Sequence, residues 1–116
     1  MLPDTWQIDF NDFQSLNSID NKTACVIVEP IQAEAGVIFP EKGFLEEIRK
    51  KCSENGALLI FDEIQTGFGR LGNMFAIDRF KVVPDILLLA KALGGGMPLG
   101  AFISSKKIMS SLIKNP

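Results

Sequence analysis

The stretch that decides the fold is residues 85–93, DILLLAKAL, an apolar run that ends at the single cation Lys91. Such a run, followed at once by the glycine-rich residues 94–100 (GGGMPLG), is typical of a buried strand that opens into a loop. An ammonium group on so apolar a strand loses much of its hydration, which favours the neutral amine. A neutral lysine amine is a nucleophile, so Lys91 is a candidate catalytic residue.

A second apolar strand lies within residues 58–65, LLIFDEIQ, and ends at Asp62. A carboxylate in this place can pair with a protonated pyridine nitrogen. Ligands of α/β sheets bind beyond the carboxyl ends of the strands, where both Asp62 and Lys91 are expected. An amine for a Schiff base and an acid for a pyridinium ring together suggest pyridoxal phosphate as a cofactor.

Each of these two residues also has a plain structural interpretation. A lysine that closes a strand often extends its ammonium group to solvent. An acid at a strand end is commonly a helix or turn cap. The combination of both on neighbouring strand ends, each before a glycine-bearing loop, favours the functional interpretation.

The rest of the chain alternates strands and helices. Residues 23–28 form a continuous apolar run that predicts a strand covered on both faces, ended by Glu29 and Pro30. The pattern predicts helices at 41–55, 75–81 and from Lys106, and further strands at 57–61, 85–89 and 100–104. This order predicts an α/β fold with a mainly parallel sheet.

Composition excludes several classes of function. The chain has 116 residues, 47% of them hydrophobic, and a net charge of −2 without a basic stripe, so neither nucleic acid nor a membrane is an expected partner. The apolar runs are short and the N-terminus carries acids, so we expect a cytoplasmic protein. Cys25 and Cys52 are expected to be reduced and buried. Histidine is absent, and no metal site is predicted.

Three segments together resemble consecutive signatures of the class III pyridoxal-phosphate aminotransferases. They are residues 28–36 (VEPIQAEAG), 61–70 (FDEIQTGFGR) and 89–96 (LAKALGGG), in the family's order and spacing. The resemblance extends over most of residues 24–104. It implies that the chain forms part of the mainly parallel sheet in the large domain of a fold type I transferase that depends on pyridoxal phosphate. By this resemblance, the chain is part of one domain and contains no second domain. Its connecting segment is residues 1–22, its core strands and helices lie within residues 23–105, and a further helix begins within residues 106–116.

The resemblance also implies roles for individual residues. Lys91 matches the lysine that forms the Schiff base with pyridoxal phosphate and then moves the proton. Asp62 matches the acid held against the pyridine nitrogen. Ile64, on the same strand face as Asp62, matches the residue that packs on the ring. Gln65 matches the side chain that contacts the ring hydroxyl.

Two acids in the first segment have different implied roles. Glu34 resembles the acid that pairs, in several family members, with an arginine that reads the substrate carboxylate, and its alternative interpretation is an exposed loop acid. Glu29 is interpreted as a structural hydrogen-bond acceptor. Leu71, after Arg70, departs from the threonine usual in the family, which we expect to affect the loop rather than the chemistry.

The implied reaction moves an amino group from an N-acetylornithine-like or ornithine-like donor to 2-oxoglutarate, as in arginine biosynthesis. Residues 94–102 most resemble those members. The family also implies a homodimer. Its phosphate-binding loop would lie upstream of Met1 and another phosphate contact beyond Pro116. The arginine that reads the substrate carboxylate would lie in a later segment. The chain is therefore expected to be an interior piece that is inactive by itself.

Two alternatives remain open at this stage. Residues 58–63 also resemble the magnesium-holding strand of a P-loop ATPase, but the chain has no Gly-x-x-x-x-Gly-Lys-Ser/Thr loop. The other alternative is a non-catalytic fragment.

Overall fold

The computed structural model describes residues 3–114. In this part of the chain there are four strands, which form one sheet, three helices and two short 3₁₀ helices. The strands are β1 (Cys25–Val28), β2 (Leu58–Asp62), β3 (Ile86–Leu89) and β4 (Ala101–Ser104). The helices are α1 (Phe44–Asn55), α2 (Ala76–Phe80) and α3 (Lys106–Lys114), and the 3₁₀ helices span Ser15–Ser18 and Lys91–Gly94.

The sheet is mainly parallel, which confirms the predicted α/β class. Strands β1, β2 and β3 lie side by side and parallel, whereas β4 pairs with β3 in the antiparallel direction. A parallel pair needs a crossover of about a dozen residues or more, usually through a helix. The loop between β3 and β4 contains only a 3₁₀ helix, and β4 accordingly turns back beside β3.

Helix α1 covers one face of the sheet and forms the core there. Its side chains at helical spacing are buried against alternate residues of β2 and β3. The main buried side chains are Phe44, Leu45, Ile48 and Cys52 from α1 and Leu59, Phe61, Leu87 and Leu89 from the sheet. Each fully buried leucine or phenylalanine stabilises the fold by about 1.5–3 kcal/mol.

One face of β1 is open among the described residues, which corrects the prediction that residues 23–28 are covered on both faces. Ile27 is 62% exposed and Cys25 is also exposed, whereas the side chains of β2 and β3 on the same face are half-buried. Both cysteines are free thiols, as predicted. Burial is confirmed for Cys52 and is wrong for Cys25.

The ends of the helices follow local backbone conformation. Helix α1 begins at Phe44 rather than at residue 41, because Gly43 takes a left-handed conformation with φ of 89°. Gly56 ends it as predicted, with φ of 73°. Helix α3 begins at Lys106 as predicted, and residues 115–116 of the predicted segment lie outside the described residues. No described helix has the length and apolar character needed to cross a membrane.

Asp85 ties four elements together at the amino edge of the sheet. Its Oδ2 accepts hydrogen bonds from Arg49 Nη1 of α1 at 2.7 Å and from the Leu59 N–H of β2 at 2.8 Å. Its backbone N–H donates to the Leu59 carbonyl, and its own carbonyl accepts from Ser104 Oγ of β4. We call this group, Asp85 with Arg49, Leu59 and Ser104, the Asp85 junction.

The charge of Asp85 is stabilised within this junction. Burial alone would raise the pKa of its carboxyl group. The hydrogen bonds from Arg49 and from the Leu59 N–H, together with the Arg49 charge, outweigh burial and lower the pKa below its usual value. The folded state therefore favours the ionised form.

Replacing Asp85 tests the junction. In the full-length protein, we expect Asp85→Ala to lower the free energy of unfolding by about 2–3 kcal/mol near neutral pH, because the Leu59 N–H and Arg49 lose a charged acceptor. A carboxyl group with a lowered folded-state pKa stabilises fully above its unfolded pKa of about 4, and this stabilisation is lost as pH falls through the folded value. Denaturant unfolding of Asp85→Asn should therefore show a shallower loss of stability below about pH 4.

The control is Glu54→Gln, which removes an exposed acid of α1. We expect it to change the free energy of unfolding by no more than about 0.5 kcal/mol. Equal stability of Asp85→Ala and the unchanged protein would show that the junction does not hold the sheet.

Candidate active site

Lys91 lies just beyond the carboxyl end of β3, as the first residue of the 3₁₀ helix Lys91–Gly94. Its backbone φ is 43°, in the left-handed region that residues with a Cβ rarely adopt. Strained residues of this kind concentrate at functional sites. Five other described residues with a Cβ, Lys81 among them, also lie in this region, so the case for Lys91 rests on its place at the sheet edge rather than on its backbone.

The surroundings of the Lys91 side chain correct one expectation. The residue is exposed, and its ammonium group makes no hydrogen bond or ion pair within residues 3–114. The loss of hydration predicted from the apolar strand is wrong for this part of the chain, because the strand ends at Leu89 and the lysine projects from the loop.

Asp62 is the last residue of β2 and pairs with Leu88 of β3. Because β2 and β3 are parallel, Asp62 and Lys91 share the same edge of the sheet, as predicted. One carboxylate oxygen of Asp62 accepts the Ile64 N–H at 3.0 Å. No other donor in the described part of the chain reaches this carboxylate, so it has acceptor capacity for a ligand.

Gln65 and Glu34 are brought together, although they come from different segments. Gln65 Nε2 donates to Glu34 Oε1 at 2.6 Å. Glu34 lies in a small loop closed by two backbone hydrogen bonds between Gln32 and Ile38. Glu29 Oε2 accepts the Ala33 N–H of this loop at 3.2 Å, which confirms its predicted structural role.

Two neighbouring hollows occupy this edge of the sheet. Ile64, Gln65 and Lys91 line one hollow of about 670 Å³, a volume in the range of small-molecule sites. Asp62 lines the adjacent hollow, which extends along β1. The structure therefore gathers three of the predicted site residues in one hollow, bonds Glu34 to Gln65 and places Asp62 at the neighbouring one.

Arg70 and the glycine-rich loop complete this edge. Arg70 and Leu71 line the same hollow as Lys91, and Arg70 is exposed. Gly95 and Gly96 have φ of 54° and 107°, so the loop after Lys91 depends on glycine for its turn.

Glu63, between Asp62 and Ile64, is the residue that sequence reasoning missed. Its side chain is fully buried, at 0% exposed. Oε2 accepts the Ala76 N–H at 2.6 Å and Thr66 Oγ1 at 3.2 Å, and Oε1 accepts the Ile77 N–H at 3.3 Å. Burial raises the pKa of Glu63, and the hydrogen bonds from Ala76, Ile77 and Thr66 oppose this only in part.

The sequence does contain a signal for the burial of Glu63. Side chains alternate between the two faces of a strand, so Glu63 continues the buried series of Leu59 and Phe61. Asp62 continues the other series, with Leu58 and Ile60. Glu63 therefore extends the core face of β2, whereas Asp62 belongs to the open face.

The chain is similar to known proteins over most of its length. Residues 3–115 match the family described as aminotransferase class-III. Acetylornithine aminotransferase of Clostridium acetobutylicum is 51% identical over 107 residues, which are 91% of this chain and 28% of the relative.

Solved structures of similar proteins superpose closely. N-acetylornithine aminotransferase from Stenotrophomonas maltophilia has a TM-score of 0.84 at 46% identity, over 90% of this chain and 29% of that protein. Ornithine aminotransferase from Toxoplasma gondii has a TM-score of 0.90 at 40% identity, over 97% of this chain and 27% of that protein, and its active site is partially occupied by pyridoxal phosphate. The chain thus spans less than a third of these relatives.

Gly67 provides a test of how tightly this edge is packed. A Cβ at this position would lie 2.9 Å from the Glu63 carbonyl oxygen and 3.5 Å from Leu89. Because backbone cannot move aside easily, we expect Gly67→Ala to destabilise the full-length protein by about 1–3 kcal/mol in denaturant unfolding.

Gly100→Ala is the matched control, since its Cβ would meet only the Leu89 carbonyl oxygen at 3.8 Å. Its stability should stay within about 0.5 kcal/mol of the unchanged protein. Similar stability of both variants would contradict the close packing at Gly67.

Proposed function

The chain belongs to the class III aminotransferases, and we propose that the full-length protein transfers an amino group with pyridoxal phosphate as its cofactor. The observation that carries the proposal is the placement of Asp62 and Lys91 at the same carboxyl edge of parallel strands. Family membership removes the P-loop ATPase alternative. Because the chain spans 28% of its acetylornithine aminotransferase relative, the reaction is proposed for the whole protein.

The residues at this edge fit the cofactor chemically. When bound, pyridoxal phosphate supplies an aldehyde that accepts a lysine amine and a pyridinium ring that withdraws electrons from the reacting carbon. Lys91 offers an amine without a competing partner among the described residues. Asp62 offers a carboxylate with spare acceptor capacity, and Gln65, three residues later, offers an amide.

Lys91 would act twice in the reaction. Its Nζ would first hold the cofactor covalently. Once the amino substrate has taken its place, the same Nζ would be free to move a proton from the substrate carbon that bears the amino group to C4′ of the cofactor. In the second half of the reaction it would move a proton from C4′ to the corresponding carbon of the acceptor. An exposed lysine on a loop has the reach for both tasks, and the loss of hydration that it needs would come from the bound ligands.

Asp62 would hold a proton on the ring nitrogen. A carboxylate that accepts a hydrogen bond from a pyridinium N–H favours the charged ring. The Ile64 N–H, at 3.0 Å from Oδ1, keeps the Asp62 side chain in place for this contact. Ile64 itself would pack on the ring.

Gln65 and Glu34 would act at the substrate side of the ring. The Gln65 amide has a second N–H that can donate to the ring hydroxyl while the first is held by Glu34. Glu34 is exposed and therefore accessible to an arginine from another part of the protein. We propose that Glu34 exchanges partners in this way when amino donor and acceptor alternate.

The proposed amino donor is N-acetylornithine or ornithine, and the proposed acceptor is 2-oxoglutarate. The support is the similarity to proteins that are named for these two donors, acetylornithine aminotransferase and ornithine aminotransferase. We also propose a cytoplasmic homodimer. Met97 and Leu99, at 67% and 55% exposed, supply apolar surface beside the site that a second subunit could cover.

Replacing Lys91 tests the proposed chemistry. We expect Lys91→Ala in the full-length protein to abolish transamination and the visible absorbance of the bound cofactor. Borohydride treatment should add the cofactor mass to the unchanged protein but not to the variant, as measured by mass spectrometry of the peptide that contains position 91.

Lys81→Ala is the matched control, because Lys81 is also exposed and also left-handed, with φ of 58°. It should keep both the absorbance and the activity. Turnover by Lys91→Ala at the rate of the unchanged protein would refute the assignment.

A panel of amino donors with 2-oxoglutarate tests the substrate. We expect N-acetylornithine or ornithine to give the highest kcat/KM, with glutamate formation as the measured signal. A preference for 4-aminobutyrate would contradict the proposed donor while leaving the aminotransferase assignment in place.

A further inference from the structure

Glu63 is a buried acid without a cation beside it. No described lysine or arginine forms an ion pair with its carboxylate, and all three of its hydrogen-bond donors are neutral. Burying a carboxylate that lacks an opposite charge is unfavourable unless its oxygens are well supplied with hydrogen bonds. The position therefore calls for a function that an apolar residue could not fulfil.

The three donors to Glu63 come from both ends of the loop between β2 and α2. Thr66 lies three residues after Glu63, whereas the Ala76 and Ile77 N–H groups begin α2. Ala76 is fully buried, so water cannot replace Glu63 as its acceptor. The carboxylate thus fastens the start of α2 to the end of β2.

The backbone of Glu63 is also held on both sides. Its N–H donates to the Leu88 carbonyl at 3.0 Å, which continues the pairing of β2 with β3. Its carbonyl accepts the Gly67 N–H at 3.0 Å and closes the turn that contains Ile64 and Gln65. Within this turn the Ile64 N–H holds the Asp62 carboxylate.

We infer that Glu63 is a positioning residue for Asp62. Its carboxylate accepts from Thr66 and from the first N–H groups of α2, and so holds in place the turn whose Ile64 N–H orients the Asp62 carboxylate. The inference rests on the proposed function, because it assigns Glu63 a part in cofactor binding. Glu63 itself lies on the core face of β2 and does not touch the hollow. Its effect on the cofactor would therefore pass through Asp62.

The test is a double-mutant cycle in the full-length protein. The dissociation constant of pyridoxal phosphate is measured by titration of the cofactor-free protein for the unchanged protein, Glu63→Gln, Asp62→Ala and the double variant. We expect Glu63→Gln to weaken binding about 10-fold or more, since an amide cannot accept from all three donors and supporting contacts typically contribute this much. In the Asp62→Ala background the same change should have little further effect.

Controls separate positioning from general stability. Asp78→Ala removes another acceptor at the start of α2, where Asp78 Oδ2 lies 3.4 Å from the Phe75 N–H. It should lower the melting temperature without changing cofactor affinity. If Glu63→Gln does not fold, Thr66→Val removes a single donor and should give a smaller loss of affinity that again depends on Asp62.

The outcomes are distinct. The inference is overturned if Glu63→Gln binds pyridoxal phosphate with full affinity. If only Thr66→Val folds, full affinity in that variant overturns it. An equal loss of affinity in the presence and absence of Asp62 also overturns it. If the unchanged full-length protein does not bind pyridoxal phosphate, the proposed function fails instead. Both results can be obtained from the same titrations.

Discussion

The Asp85 junction sets the register on which the rest of the sheet depends. Asp85 contacts the N–H of Leu59 through its carboxylate and the carbonyl of Leu59 through its backbone, so β3 can meet β2 in only one alignment. That alignment pairs Asp62 with Leu88 at the opposite edge. A shift of one residue would exchange the two faces of β3 and move Leu87 and Leu89 out of the core. The geometry of the candidate site is thus decided at the far end of the strands.

The two edges of the sheet are held by different kinds of interaction. At the amino edge, Asp85 forms an ion pair with Arg49, and both side chains are partly exposed to solvent. At the carboxyl edge, Glu63 is buried and depends on neutral N–H and O–H donors. Between them, α1 covers one face while the other stays open around Cys25 and Ile27. The site residues Asp62 and Lys91 therefore lie at the carboxyl edge of a sheet that is packed on one face only.

The sequence predicted the order of elements well, because apolar runs bounded by glycine and proline report strand and helix directly. It also predicted Asp62 and Lys91 at one edge, which follows from parallel strands alone. It could not predict the open face of β1, because a continuous apolar run reports a preference for burial and not the presence of a cover. The contact between Gln65 and Glu34 depends on how a loop folds over a distant turn, and no local pattern specifies that. Strand alternation is sufficient to predict the burial of Glu63, but no local pattern predicts its hydrogen-bond donors in α2.

The left-handed backbone of Lys91 places a conflict between stability and function at a single residue. A residue with a Cβ in that conformation costs about 1–3 kcal/mol, and glycine or asparagine would relieve part of that strain. Selection for thermal stability alone would therefore replace the lysine. The proposed role of Lys91 requires an amine at this turn, so the strain is a stability deficit that the core around α1 and the Asp85 junction must offset. Efforts to stabilise this protein should accordingly leave the turn unchanged and work on the core.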